Sequence, residues 1–128
     1  MNGSAILIIL WILVLWLPSC QSVQRNIDVI SMERKIDTES PDYEICSSFT
    51  LTKKTVVDYF SVAKEVSGDE FHHESIILPC KYQGSMKIDD TQFQWEIFAG
   101  GSGYLYNKST EKRYLCKETC CDILKGLC

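Results

Sequence analysis

Seven cysteines, two histidines and a set of aspartates, glutamates and tyrosines are the residues of this chain whose types could do chemistry. The C-terminal group Cys116-x3-Cys120-Cys121-x6-Cys128 is the densest. Four thiolates can satisfy a tetrahedral metal site, but this spacing contains no C-x2-C pair. In an exported protein such cysteines oxidise to disulfides. Cys120 and Cys121 are neighbours, and a bridge between neighbours closes a strained ring, so each is expected to take a different partner. The pairing expected is Cys46 with Cys80, and the four C-terminal cysteines among themselves. No metal and no other cofactor is expected.

The catalytic alternatives are thin. His72 and His73 sit among Asp69, Glu70 and Glu74, but adjacent side chains of an extended segment point apart, which suits chelation poorly. Cys80 with His73 is the sharpest nucleophile–base pair available, and it would leave an odd cysteine behind. Asp89, Asp90 and Glu96 could supply a hydrolytic carboxylate pair, although a turn and the solvent face of a strand account for them. The stretch AGGSGYLY lacks the Gly-Lys-Ser/Thr of a phosphate loop and the second glycine of a G-x-S-x-G elbow. It reads instead as a hairpin turn whose glycines supply positive φ. The chain is therefore expected not to be an enzyme.

Tyr104 and Tyr106 are the candidate binding residues. They alternate with Leu105 in GYLYN, so tyrosines and leucine occupy opposite faces of a strand, and the alternation leaves open which of the two sets is core. Outward tyrosines on a rigid sheet are common recognition anchors. Asn107-Lys108-Ser109 is an N-glycosylation sequon, which matters only in a eukaryotic source.

These groups must be positioned by a small fold. The chain has 128 residues, enough for one domain. Its formal net charge is −4, with no basic stripe, so nucleic acid is not an expected partner. The first 24 residues carry no charged side chain. The apolar run Ala5–Leu17 falls short of the roughly 20 residues of a membrane span and matches the apolar stretch of a signal peptide. Its end, Leu17-Pro18-Ser19-Cys20, resembles the lipobox of bacterial lipoproteins, with Leu at −3 and a small residue at −1. Pro18 at −2 and the absence of a basic residue before the apolar run depart from that pattern. The resemblance implies a signal peptide over 1–19, acylation of Cys20 and, with Gln21 following, sorting to the outer membrane, facing the periplasm or the surface. Cleavage after Ser22 is the competing reading, giving a secreted soluble protein. Either one removes Cys20 from the odd count and leaves six cysteines to pair.

Residues 20–43 are polar and mixed in charge, and read as the anchored N-terminus and a tether, with a strand through IDVIS as the alternative. The domain is expected over 44–128. ICSSFTLT alternates with period two and predicts a strand. Thr52 is a helix cap, and Val56, Tyr59, Phe60, Ala63 and Val66 form one helical stripe that Gly68 ends. SGDEFHHES reads as a loop and SIILP as a short strand. CKYQGSMKID, with Gly84 as a possible bulge, FQWEIF, GYLYN and RYLCK then form a meander, and a short helix is expected over Glu118–Lys125. The fold class is α+β: one helix packed on an antiparallel sheet of about four to five strands, with a disulfide-stapled C-terminal tail. This order is similar to the cystatin arrangement, a likeness of topology alone.

The function expected is that of an exported envelope lipoprotein acting as a small non-enzymatic binding module, of inhibitor or immunity type. Its partner would be a protein or glycan of the envelope, with the membrane reached through the N-terminal lipid. The alternatives are a structural or assembly component of the envelope and a small secreted hydrolase. Co-clustering of His73, Glu74 and a carboxylate from Asp89–Glu96 would favour the hydrolase. An apolar, self-complementary sheet face would favour the assembly component.

Overall fold

The computed structural model describes residues 25–128; the expected signal peptide, Cys20 and the lipobox-like residues lie outside them. The fold is α+β. Strands β4 (Cys80–Ile88), β5 (Thr91–Phe98), β6 (Ser102–Tyr106) and β7 (Glu111–Leu115) make the expected antiparallel meander. Asp89 and Asp90 close the first hairpin with φ of 48° and 70°. Both lie in the positive region that a tight two-residue turn requires.

The sheet has seven strands because both edges of the meander are extended. Strands β1 (Ile27–Val29) and β2 (Glu33–Ile36) pair with β4 one after the other. Residues 25–36 are thus part of the sheet and not a tether. They escaped the pattern reading because only Val29 among them is buried; backbone pairing holds them.

Val29 faces Met86 and Glu33 faces Gln83, so three residues of the N-terminal segment oppose two of β4. The N–H groups of Ile30 and Ser31 both donate to the Ser85 carbonyl, at 2.9 and 3.2 Å. That is a β-bulge, and its extra residue lies opposite β4 and not within it. Gly84 permits it: a Cβ at that position would overlap the Ser31 carbonyl.

Helix α1 (Lys53–Val62) starts as expected, with the Thr52 side chain accepting from the Thr55 N–H at 3.2 Å. It stops earlier than its apolar stripe suggests. Ala63 turns extended, and β3 (Lys64–Val66) pairs with β7 at the far edge of the sheet. Three residues of ladder outweigh a continued helical period. Helix α2 (Gly68–Glu74) replaces the expected loop. Its cap is Ser67, which accepts from the Glu70 N–H at 3.1 Å. Ser67-x-x-Glu70 is the capping-box spacing, so Gly68 opens a helix and does not close one.

The expected first strand is instead a 3-10 turn, Tyr43–Ser48. Cys46 and Phe49 are buried three residues apart while Ile45 is exposed, which is 3-10 and not strand spacing. Residues 75–78, the expected SIILP strand, join no ladder. Helix α3 (Glu118–Ile123) carries the tail, and Gly126 beyond it has φ of 92°.

One face of the sheet meets α1. Tyr82, Met86, Trp95, Ile97, Leu105 and Tyr114 are buried there with Val56, Tyr59 and Phe60. The Tyr59 ring lies against the sheet at Gly103, where a Cβ would come within 2.5–2.9 Å of it. Its hydroxyl donates to the Gly101 carbonyl at 2.8 Å.

All three bridges gather at the end of the sheet where β4 begins and β7 ends. Cys46 joins Cys80, Cys116 joins Cys120, and Cys121 joins Cys128, as the pairing expectation had it. The chain enters the described fold at the opposite end, where Asn26 bonds with Asp89 across the β4–β5 turn.

Candidate binding surface

One face of the sheet is committed to the core, and the other is its outer face. The ladder registers lay its side chains out in cross-strand rows. The first is Ser85–Gln94–Tyr106–Glu111, and the second is Glu33–Gln83–Glu96–Tyr104–Arg113. The third begins Lys35–Lys81–Phe98.

The two candidate tyrosines part company here. Leu105 is in the core, so both tyrosines point to the outer face. Tyr104, however, is roofed by α2: its ring stands 4.9 Å from that of Phe71 and 6.2 Å from that of Phe98. It supports the surface and is not a free anchor. Tyr106 keeps 37 % of its area exposed. Partial burial, and then the neighbouring Glu96 carboxylate, push its hydroxyl above the ordinary phenol range, so it stays a neutral donor.

A trough runs along this face. At the stapled end it is a cleft of about 660 Å³ with Ile77, Leu78 and Phe98 in its walls and Lys35 and Asp42 at its margin. Gln83 belongs to this cleft and also to the next depression, which ends on Tyr106. Ile77 is 54 % exposed and its neighbour Ile76 60 %. The Ser102 hydroxyl donates to the Ile76 carbonyl at 3.1 Å, and Cys80 ties the start of β4 to the 3-10 turn. The apolar end of the trough is therefore built on cross-linked backbone. Sequence reasoning missed Ile77; three apolar residues and a proline in SIILP signalled a strand, and nothing marked them as unpaired.

The remaining candidates are scattered. His72 and His73 are exposed on α2, with the His73 ring 3.5 Å from Asp69. Glu74 pairs with Lys117, Glu96 with Lys81, and Asp89 accepts from the Asn26 N–H. Cys80 is consumed by its bridge to Cys46. The sulfurs of Cys116, Cys121 and Cys128 lie within 4.8 Å of one another, yet all three are in disulfides. The sequon amide is spent locally: Asn107 donates to the Gln92 carbonyl at 3.3 Å and accepts from the N–H groups of Ser109 and Thr110.

The roof over Tyr104 is pinned by charge. Lys117 lies 2.5 Å from Glu70 and 2.8 Å from Glu74, joining α2 to the stapled tail, and Lys64 reaches Glu70 at 3.4 Å. Hydrogen bonding from Lys117 holds the Glu70 carboxyl below its ordinary 4.5, and the same partners raise Lys117 above 10.5. A depressed carboxyl contributes stability above its unfolded pKa and loses it as pH falls through the folded one. A raised ammonium does the reverse, losing its contribution as pH rises above 10.5. Protection of the α2 amides from hydrogen exchange, taken relative to the intrinsic rate at each pH, should accordingly fall below pH 4.5. Lys117→Met should remove most of that acid dependence; an unchanged acid profile in the variant would show that the pairs do not hold α2.

Comparison with protein-family models, with curated proteins and with solved structures matches none of them. Three disulfides are those of a protein that matures in an oxidising, non-cytoplasmic compartment. Among the described residues no helix is long and apolar enough to cross a membrane.

Proposed function

We propose that the protein is an exported, non-enzymatic binding module, an envelope lipoprotein of inhibitor or immunity type held to a membrane through acylated Cys20. The trough on the outer sheet face is its recognition surface. The observation that carries this reading is the trough itself. There, exposed Ile77 and Tyr106 flank the Gln83 and Gln94 amides on a sheet whose start is cross-linked by Cys46–Cys80. Rigid backbone under a mixed apolar and polar surface suits binding, because little ordering entropy is lost on association.

The placement of the trough fits an anchored protein. The chain enters the fold beside the Asp89–Asp90 turn, and the apolar end of the trough is at the other end of β4. A lipid at the N-terminus would leave Ile77 facing away from its own membrane.

The two competing readings lose their discriminating features. A hydrolase would need His73, Glu74 and a carboxylate of Asp89–Glu96 together, and these pair separately with Asp69, Lys117, Asn26 and Lys81. An assembly component would present an apolar sheet face, whereas this one carries three rows of mostly polar side chains.

The test is capture of partners from the membranes of the producing cell by the full chain. Ile77→Asp and Tyr106→Ala should each lower the yield about tenfold, the loss expected of a central interface residue. Intact mass should show a diacylglyceryl adduct that Cys20→Ala removes, releasing the protein. Undiminished capture by both surface variants would overturn the assignment of the trough. A soluble, unmodified wild type would overturn the anchor.

A further inference from the structure

We infer that the Tyr106 end of the trough is a carbohydrate subsite for a neutral oligosaccharide; this deepens the binding-module reading and rests on it. The Tyr106 ring stands between two depressions. One, of about 330 Å³, is lined by Ser31, Glu33, Gln83 and Gln94; the other, of about 440 Å³, by Glu96, Tyr104, Asn107 and Glu111. Each is at the small end of the range in which small-molecule sites occur, roughly 300–1,000 Å³.

The charges around the ring argue for a neutral ligand. Glu33 is paired with Lys35 at 2.8 Å, Glu111 with Arg113 at 3.2 Å, and Glu96 with Lys81. A cationic or anionic ligand would have to break one of these pairs to gain its own. A polyol need not, since paired carboxylates still have lone pairs to accept hydroxyl protons.

What remains presented is one exposed aromatic ring, the Gln94 amide directly across the ladder from it, and the neutral Tyr106 hydroxyl. The apolar C–H face of a pyranose fits the ring, while its equatorial hydroxyls fit planar amides and carboxylates in the flanking depressions. A tyrosine with depressions on both sides suits a chain of linked sugars, one residue on the ring and its neighbours beside it. The Asn107 side chain is already bonded within its turn, so it shapes the second depression and is not a ligand for sugar.

The experiment is an NMR titration of the full chain with chitotriose and, separately, maltotriose. Saturable shifts are expected at the amides of Gln94, Tyr106 and Asn107. Tyr106→Ala should weaken binding about tenfold or more, as loss of a central aromatic anchor does, while Tyr106→Phe should retain most of it. Lys54→Ala, on the solvent side of α1, should leave the sugar titration unchanged. No shift with either sugar, or shifts that survive Tyr106→Ala, would overturn the subsite. If sugars fail but Ile77→Asp and Tyr106→Ala still weaken capture of a protein, the carbohydrate class falls and the trough stands. If capture is also undiminished, both fall.

Discussion

Removing the Cys46–Cys80 bridge with the paired change Cys46→Ser and Cys80→Ser is expected to lower stability by about 4 kcal/mol. The bridge spans 34 residues of sequence, against 7 for Cys121–Cys128 and 4 for Cys116–Cys120. Chain-entropy reasoning makes the longest loop the most valuable, with about 2–2.5 kcal/mol for each of the shorter ones. The structure adds a reason of its own. Both cysteines are essentially fully buried, and the 3-10 turn they secure has a short ladderless backbone and exposed Tyr43 and Ile45. Few other contacts would hold it against β4. Domains of this size have about 5–15 kcal/mol in all, so a urea midpoint should fall steeply. Loss of the tail bridges should shift it less. Equal midpoints for the three bridge variants would show that the N-terminal half is held by packing and not by the cross-link.

Tyr59→Ala is the second large effect, at about 3–5 kcal/mol, the range for deleting a buried aromatic. Tyr59 is fully buried and packs edge-on to Phe60 at 5.0 Å and Tyr114 at 6.5 Å. It is also the group that fixes α1 to the sheet, because its hydroxyl donates to the Gly101 carbonyl. Tyr59→Phe keeps the ring and removes one of the two hydrogen bonds to that carbonyl, which still accepts from the Cys116 N–H at 2.9 Å, so about 0.5–1.5 kcal/mol is expected. Gly103→Ala approaches the same contact from the sheet side, and its Cβ has no room beneath the ring. Tyr59 also leaves a mark in the pH dependence. Burial pushes its hydroxyl far above the usual 10. A raised phenol keeps its full contribution below the unfolded pKa and loses it as pH rises beyond. Wild type should therefore weaken above pH 10 more than Tyr59→Phe does. Parallel alkaline limbs for the two proteins would contradict this placement of Tyr59.

Much of the architecture was legible because several residues carry unambiguous local signals. Thr52 capped the helix it was expected to cap, and Val56, Tyr59 and Phe60 are its buried stripe. Trp95 and Ile97 alternate into the core from β5, and Asp89-Asp90 turns the hairpin. What was not legible depends on long-range pairing. Glu33–Ile36 has four exposed residues and is a strand only because β4 is beside it. Lys64–Val66 continues a helical stripe in sequence and joins β7 in space. Helix α2 is different: Ser67 and Glu70 carried its capping signal, but GDEFHHE has a single buried residue, Phe71, and so no apolar period.

The candidate site shows the same division. Strand alternation placed Tyr104 and Tyr106 together and opposite Leu105, as the ladder registers bear out. Alternation says nothing of what lies above a face. Phe71, from a helix the pattern did not reveal, roofs one tyrosine and leaves the other open. The apolar end of the trough was hidden for a related reason. Ile77 belongs to a segment bound to its neighbours by single contacts, such as the Ser102 hydroxyl on the Ile76 carbonyl, and not by a ladder.

We propose that the outer sheet face, and no other surface, meets the partner. Site-specific photo-crosslinking tests it most directly. A photoreactive side chain is placed at the position of Gln94, in the row of Tyr106, or at the position of Lys54, on the solvent side of α1. Each full-length variant is irradiated in the membranes of the producing cell. A discrete adduct is expected from position 94 that Tyr106→Ala abolishes, and none from position 54. An adduct from position 54 with none from position 94 would contradict the proposal.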